Sequence, residues 1–264
     1  MQLYPQITAQ WEKLQETTFK EVADSCNHYK KLFSSHSVQS GLMLILNPDF
    51  LRTEGNVASF QQWRSADRPP LAFGCLLNFR DERSFQELEM ARELGFRTLK
   101  LYPYLQKIED NEFEKVARLA QKAESLGLYL TICCSYGTRA LNHHSGIRLA
   151  GFLSEKVKCP VVMSHAGGAK LLDAFLVAEA AENLLLDTSF SLPYYRDSSV
   201  ERDFAFAMRK LGAHRWMYGS DAPFVGFEDS LKQTLEFFDK YRFSSQEVDT
   251  ILFHTAERLI HDAS

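Results

Sequence analysis

The chain has 264 residues, 45% hydrophobic and 24% charged, with a formal net charge of −4. These proportions are those of a soluble globular protein; they exclude extended disorder and speak against a nucleic-acid partner, which normally shows a basic face. No apolar run reaches the ~18 residues of a membrane span, so no membrane partner is expected.

The N-terminal stretch MQLYPQITAQWEKLQE lacks the regions of a signal peptide. Five cysteines, two of them adjacent at Cys133 and Cys134, form no disulfide framework and fit a cytoplasmic location. In chain order, Gln2-Leu3-Tyr4 is at most a stub of strand, ended by Pro5. Ile7 to about Leu32 reads as one long helix, with Ile7, Trp11, Leu14, Val22 and Cys26 on one stripe.

Strand-like runs follow as GLMLILN (Gly41–Asn47) and LAFGCLLNF (Leu71–Phe79). Three later runs share one preface, a helical stretch ending in Leu-Gly, as in ELGFRTLKLYP, SLGLYLTICC and KLGAHRWMYGSD. Gly95, Gly127 and Gly212 suit the left-handed residue that ends a helix. PVVMSH (Pro160–His165) and NLLLDTS (Asn183–Ser189) supply two more strands. Helical faces lie between them: Phe85, Leu88 and Leu94; Phe113, Val116, Ala117, Ala120 and Ala123; Leu171, Leu172, Phe175 and Ala178. Closing helices are expected from about Glu228 to His261.

Strands alternating with helices predict a parallel sheet. No G-x-G-x-x-G follows the first strand, which weakens a dinucleotide-binding reading. No linker divides residues 1–264, so the expectation is one (β/α)₈ barrel domain. It is distorted, its first strand short or missing, with extra C-terminal helices.

A parallel barrel carries its site at the C-terminal strand ends. The polar residues there are Asn47, Asn78, Arg80, Lys100, Tyr102, Cys133, Cys134, His165, Asp187, Ser189, Ser220 and Asp221. His165 either points into the mouth or caps its loop. Asp221 is a metal ligand, a general base or the cap of a following helix. Lys100, unusual in a buried strand, pairs with an acid or faces an anionic substrate. Cys133 and Cys134 alternate, so only one points inward. Asn78, Arg80 and Tyr102 can contact a substrate carboxylate from the loops. His143, with His144 in RALNHHSG, can reach the site from above or stand as an incidental loop histidine.

ELGFRTLKLYP, SLGLYLTICC, CPVVMSHAGG, NLLLDTS, HRWMYGSDAPF and, more loosely, ILFHTAERLI together resemble the amidohydrolase-related family of the metal-dependent hydrolase superfamily. The resemblance spans roughly Phe85 to Ile260. It implies a distorted (β/α)₈ barrel and a hydrolase, lactonase or non-oxidative decarboxylase of small carboxylic acids. It also implies that His165 ends strand six and Asp221 ends strand eight of the family's metal site. Two departures stand out: no His-x-His occurs, and Cys133 occupies the place of the strand-five histidine.

Three explanations follow. The reading frame starts upstream of Met1 and carries the missing motif; or the chemistry is metal-free, with Asp221 as base and His165 as electrostatic stabiliser; or the barrel only binds a ligand or partner. The leading expectation is hydrolysis of a small carboxylic or cyclic ester or amide substrate. Decarboxylation of a small aromatic or unsaturated acid is the alternative. A single divalent metal, zinc, on His165, Asp221 and Cys133 stays open beside the metal-free reading, and a homodimer is compatible with both.

Overall fold

A computed structural model of the protein describes residues 16, 18–66, 71–135 and 143–261. Its strands are β1 (Gly41–Ile45), β2 (Leu71–Leu76), β3 (Thr98–Leu101), β4 (Tyr129–Cys133), β5 (Val161–Ser164), β6 (Leu184–Asp187) and β7 (Trp216–Met217). All neighbours pair in parallel, in the order of the sequence. A doubly wound sheet would reverse that order at a switch point. Unbroken order is the winding of a barrel wall, and the described strands curl as part of a distorted (β/α)₈ barrel. The expected stub at Gln2–Tyr4 lies outside the described residues.

The helices are α1 (Phe19–Ser35), α2 (Glu54–Ala66), α3 (Ser84–Glu93), α4 (Pro103–Gln106), α5 (Phe113–Ser125) and α6 (Gly146–Ser154). They continue with α7 (Leu171–Ala180), α8 (Ser191–Tyr194), α9 (Ser199–Leu211), α10 (Phe227–Lys240), α11 (Ser245–Asp249) and α12 (Thr255–His261). None is long and apolar enough to cross a membrane.

The sequence expectation of one helix from Ile7 to Leu32 is corrected at Thr18. Thr18 is extended (φ −89°, ψ 165°) and caps α1. Its hydroxyl accepts from the Glu21 N–H at 3.4 Å, and the Glu21 carboxylate accepts from the Thr18 N–H at 2.8 Å. This reciprocal cap starts α1. Val22 and Cys26 are buried as expected, while Ile7, Trp11 and Leu14 lie outside the described residues. Leu172 also departs from expectation. Leu171, Phe175 and Ala178 share the buried face of α7, but Leu172 turns out beside Leu176, and both are exposed.

Alternation sorts the strands into two faces. Phe73, Leu99, Leu101, Leu130, Ile132, Met163, Leu186 and Trp216 pack into the main core with the helices. The opposite face holds a separate apolar cluster of Tyr129, Val162, Leu185 and Met217, and another of Leu76, Tyr102 and Cys133. Register places Leu76, Lys100, Thr131, Val162 and Leu185 in one row of that inner face. Lys100 therefore points inward, with Cys133 two residues beyond Thr131 on the same side, and Cys134 turns to the main core.

Candidate active site

Polar groups enter the inner face where the strands end. Lys100 is 3% exposed and donates to the Ser164 hydroxyl at 3.1 Å. Its ammonium also sits 5.7 Å from the centre of the Tyr102 ring. Among the described residues no carboxylate forms a salt bridge with Lys100. A buried ammonium is costly without an anion.

β5 ends at Ser164, and the chain turns through left-handed backbone at His165 (φ 67°) and Ala166 (φ 46°) before Gly167 and Gly168. Such strain at a non-glycine residue costs about 1–3 kcal/mol and clusters at functional sites. Here β6 holds it in place. The Asp187 Oδ1 accepts from the His165 N–H at 2.8 Å and from the Ser189 N–H at 3.0 Å. The Ser189 hydroxyl also donates to that oxygen. The His165 Nδ1 lies 3.1 Å from the Ser189 carbonyl and 3.0 Å from its hydroxyl. Donation from Nδ1–H to the carbonyl fixes the ring and turns Nε2 toward the Cys133 thiol.

Across from it, the Cys133 thiol at the end of β4 hydrogen-bonds His165 and lies 3.5 Å from the Ser135 hydroxyl. The Tyr102 hydroxyl also bonds the thiol. Burial alone would raise the thiol; the charges of His165 and Lys100, with hydrogen bonds to His165 and Ser135, bring it down to about 7. Burial alone would lower His165; the charges of Asp221 and Cys133 outweigh it and hold the imidazole at about 9.

Asp221 follows β7 and also has left-handed backbone (φ 61°). It keeps some exposed surface, yet protein surrounds its carboxyl. That burial, with the neighbouring charge of Asp187, pushes it up to about 6 against the pull of His165 and Lys100. Among the described residues no donor reaches its carboxylate. Asp221 is thus a carboxylate with open lone pairs, beside a proton-bearing imidazole and an ammonium.

Lys100, Tyr102, Cys133, His165 and Asp221 thus come together. The other expected residues stand elsewhere. The Asn78 side chain accepts from the Arg80 N–H at 3.1 Å. The Arg80 guanidinium is committed to Glu112, at 2.7 Å from Nε, and to the carbonyls of Gln106 and Lys107 at 2.9 and 3.0 Å. It fastens the loop after β3 and leaves few donors for a substrate. His143 is exposed and 3.5 Å from Glu109. Sequence reading singled out Asp187 and Ser189 as strand-end polar groups without assigning them a role, and passed over Ser164. Alternation along Val162-Met163-Ser164 was the signal available for the last.

The donors available for a metal at the strand ends are Cys133, His165 and Asp221. They do not form a candidate metal cluster among the described residues, and Lys100 brings a positive charge into the same space. Asp187 is spent on His165 and Ser189. As arranged, this set does not fit a divalent ion.

Residues 49–261 match the sequence family described as Amidohydrolase. None of the curated proteins compared matches the chain. An uncharacterised TIM-barrel protein from Bordetella bronchiseptica has a similar structure, with 17% identity, 98% of this chain and 92% of that one covered, and a TM-score of 0.67. A probable 2-pyrone-4,6-dicarboxylic acid hydrolase from Acinetobacter baumannii, with citric acid bound, has 14% identity, 89% and 88% coverage and a TM-score of 0.65. A dihydroxybenzoic acid decarboxylase from a Polaromonas species, with manganese and 2-nitroresorcinol bound, has 13% identity, 88% and 85% coverage and a TM-score of 0.62. The parallel winding, the charged groups gathered at the strand ends and the match over most of the sequence agree: this chain belongs to the amidohydrolase family.

Proposed function

We propose that this protein hydrolyses the ester or amide bond of a small anionic substrate, lactones of carboxylic acids included, at the strand ends. The carrying observation is Lys100. An ammonium 3% exposed, with a serine hydroxyl as its hydrogen-bond partner and no salt bridge among the described residues, is a receptor for a substrate anion. A carboxylate placed there lies beside the two groups able to move protons. Asp221 takes a proton from the attacking water, and its position near 6 leaves it ionised at neutral pH. His165, protonated and fixed through Nδ1, shifts its Nε2–H from the Cys133 thiol to the oxyanion as it forms. A hydrolase and a decarboxylase among proteins of similar structure support the class of acidic substrate, and the water-activating Asp221 favours hydrolysis over loss of carbon dioxide.

The test is turnover by chelator-treated protein on a panel of lactones, esters and amides with and without a second carboxylate, alongside unsaturated acids. Hydrolysis restricted to the anionic members and abolished in Asp221→Asn supports the reading. Carbon dioxide release without hydrolysis, or no turnover across the panel, overturns it.

A further inference from the structure

A second cluster of chemistry-bearing side chains lies on the loops beyond β3 and β4. Glu109 stands between α4 and the turn at Asp110–Glu112, and His143 and His144 precede Ser145, the N-cap of α6. The His143 Nε2 is 3.5 Å from the Glu109 carboxylate, and the His144 Nδ1 is 3.8 Å from the same oxygen. One ligand atom from each residue falls within a 4.8 Å span. Around a tetrahedral zinc with bonds of ~2.0–2.1 Å, neighbouring donors sit about 3.3 Å apart. The two measured separations are close to that spacing before any ion draws them in.

The cluster is also held in place. The His144 ring is mostly buried and its Nδ1 lies 3.1 Å from the Ile108 carbonyl, next in sequence to Glu109. The Glu109 N–H donates to Glu112 at 3.2 Å, and Glu112 is gripped by Arg80. Arg80 also holds the carbonyls of Gln106 and Lys107, so the segment carrying Glu109 is fixed on both sides. The nearby Arg148 guanidinium pairs with Asp110 at 2.5 Å and does not form a salt bridge with Glu109. Two imidazoles and one carboxylate suit a borderline divalent ion, not calcium or magnesium.

We propose that Glu109, His143 and His144 bind one divalent transition-metal ion of the zinc type, which ties the loop after β3 to the loop after β4. At His144 the ion takes the place of the Nδ1 proton now facing the Ile108 carbonyl, and that proton moves to Nε2. The carbonyl then becomes a fourth donor, or water fills the position. The site is separate from Cys133 and His165, and it is independent of the hydrolytic reading.

Calorimetric titration of the chelator-treated full chain with Zn²⁺ tests it. The expected result is one ion per chain, bound at least tenfold more weakly by His143→Ala and by Glu109→Ala. Both residues are exposed, so neither replacement threatens the fold; Cys133→Ser should bind as the parent does. Absence of saturable binding, unchanged affinity in the two alanine variants, or loss of binding in Cys133→Ser would each overturn the proposal.

Discussion

The Lys100 ammonium and the Ser164 hydroxyl, both buried, meet at 3.1 Å on the inner face of the strands, a charged group bound to a neutral one. That arrangement spends stability to keep a charge available. Lys100→Met should therefore leave stability unchanged or raise it by about 0–2 kcal/mol, because an apolar chain of similar length suits the site. The same variant should raise KM for an anionic substrate by about 30-fold or more, from the loss of ~2 kcal/mol. Thermal unfolding read beside kinetics separates the two effects; a clear loss of stability would contradict this account of Lys100.

Activity should follow a bell in pH. Asp221 must be ionised to accept a proton, so the rate rises as pH passes about 6. His165 must keep its proton to meet an oxyanion, so the rate falls as pH passes about 9. The two limbs belong to interacting groups and report the set. A kcat/KM profile for the most active substrate decides the matter, and a flat profile between 5 and 10, roughly the window spanned by the two groups, would contradict the assignment.

Cys133 should titrate near 7 only while His165 carries charge beside it. In His165→Gln that support disappears while burial, Lys100 and Ser135 remain, so the thiol should rise clearly above 7 toward its ordinary value. Ultraviolet thiolate absorbance against pH, with Cys133→Ser as the blank, reads this directly. Identical curves for parent and variant would mean that the two side chains do not interact.

Gly146 marks a close approach of α6 to the end of β4. A Cβ there would stand 2.0 Å from the Cys133 carbonyl oxygen and 2.9 Å from the Cys134 Cα. These are backbone atoms and cannot swing aside, so Gly146→Ala should cost at least about 3 kcal/mol. Gly55, near the start of α2, has nothing within 4 Å of the same added atom. Gly55→Ala should be neutral or stabilising by up to about 1 kcal/mol. Chemical denaturation of the two variants gives the comparison.

The strands were readable because each is a short apolar run bounded by turn residues, and Gly95, Gly127 and Gly212 all adopt the positive φ their places require. His165 and Asp221 were readable from their places at strand ends. The facing of Lys100 and of Cys133 was not, since alternation permits either face until the neighbouring strand sets the register. Arg80 was misjudged for a different reason. Its partner Glu112 lies 32 residues away, and nothing local announces that its donors are already committed. The start of α1 could be seen in Thr18 and Glu21, although the apolar stripe running through them suggested continuity.

Asp187 and Asp221 show how one functional group can be given opposite temperaments. The Asp187 Oδ1 answers three donors from His165 and Ser189, and so it behaves as masonry between the ends of β5 and β6. Asp221 is kept thirsty, enclosed by protein but courted by no donor among the described residues. An exchange of duties is therefore barred in one direction. Removing Asp221 leaves a standing wall, whereas removing Asp187 would loosen the histidine that Asp221 depends on.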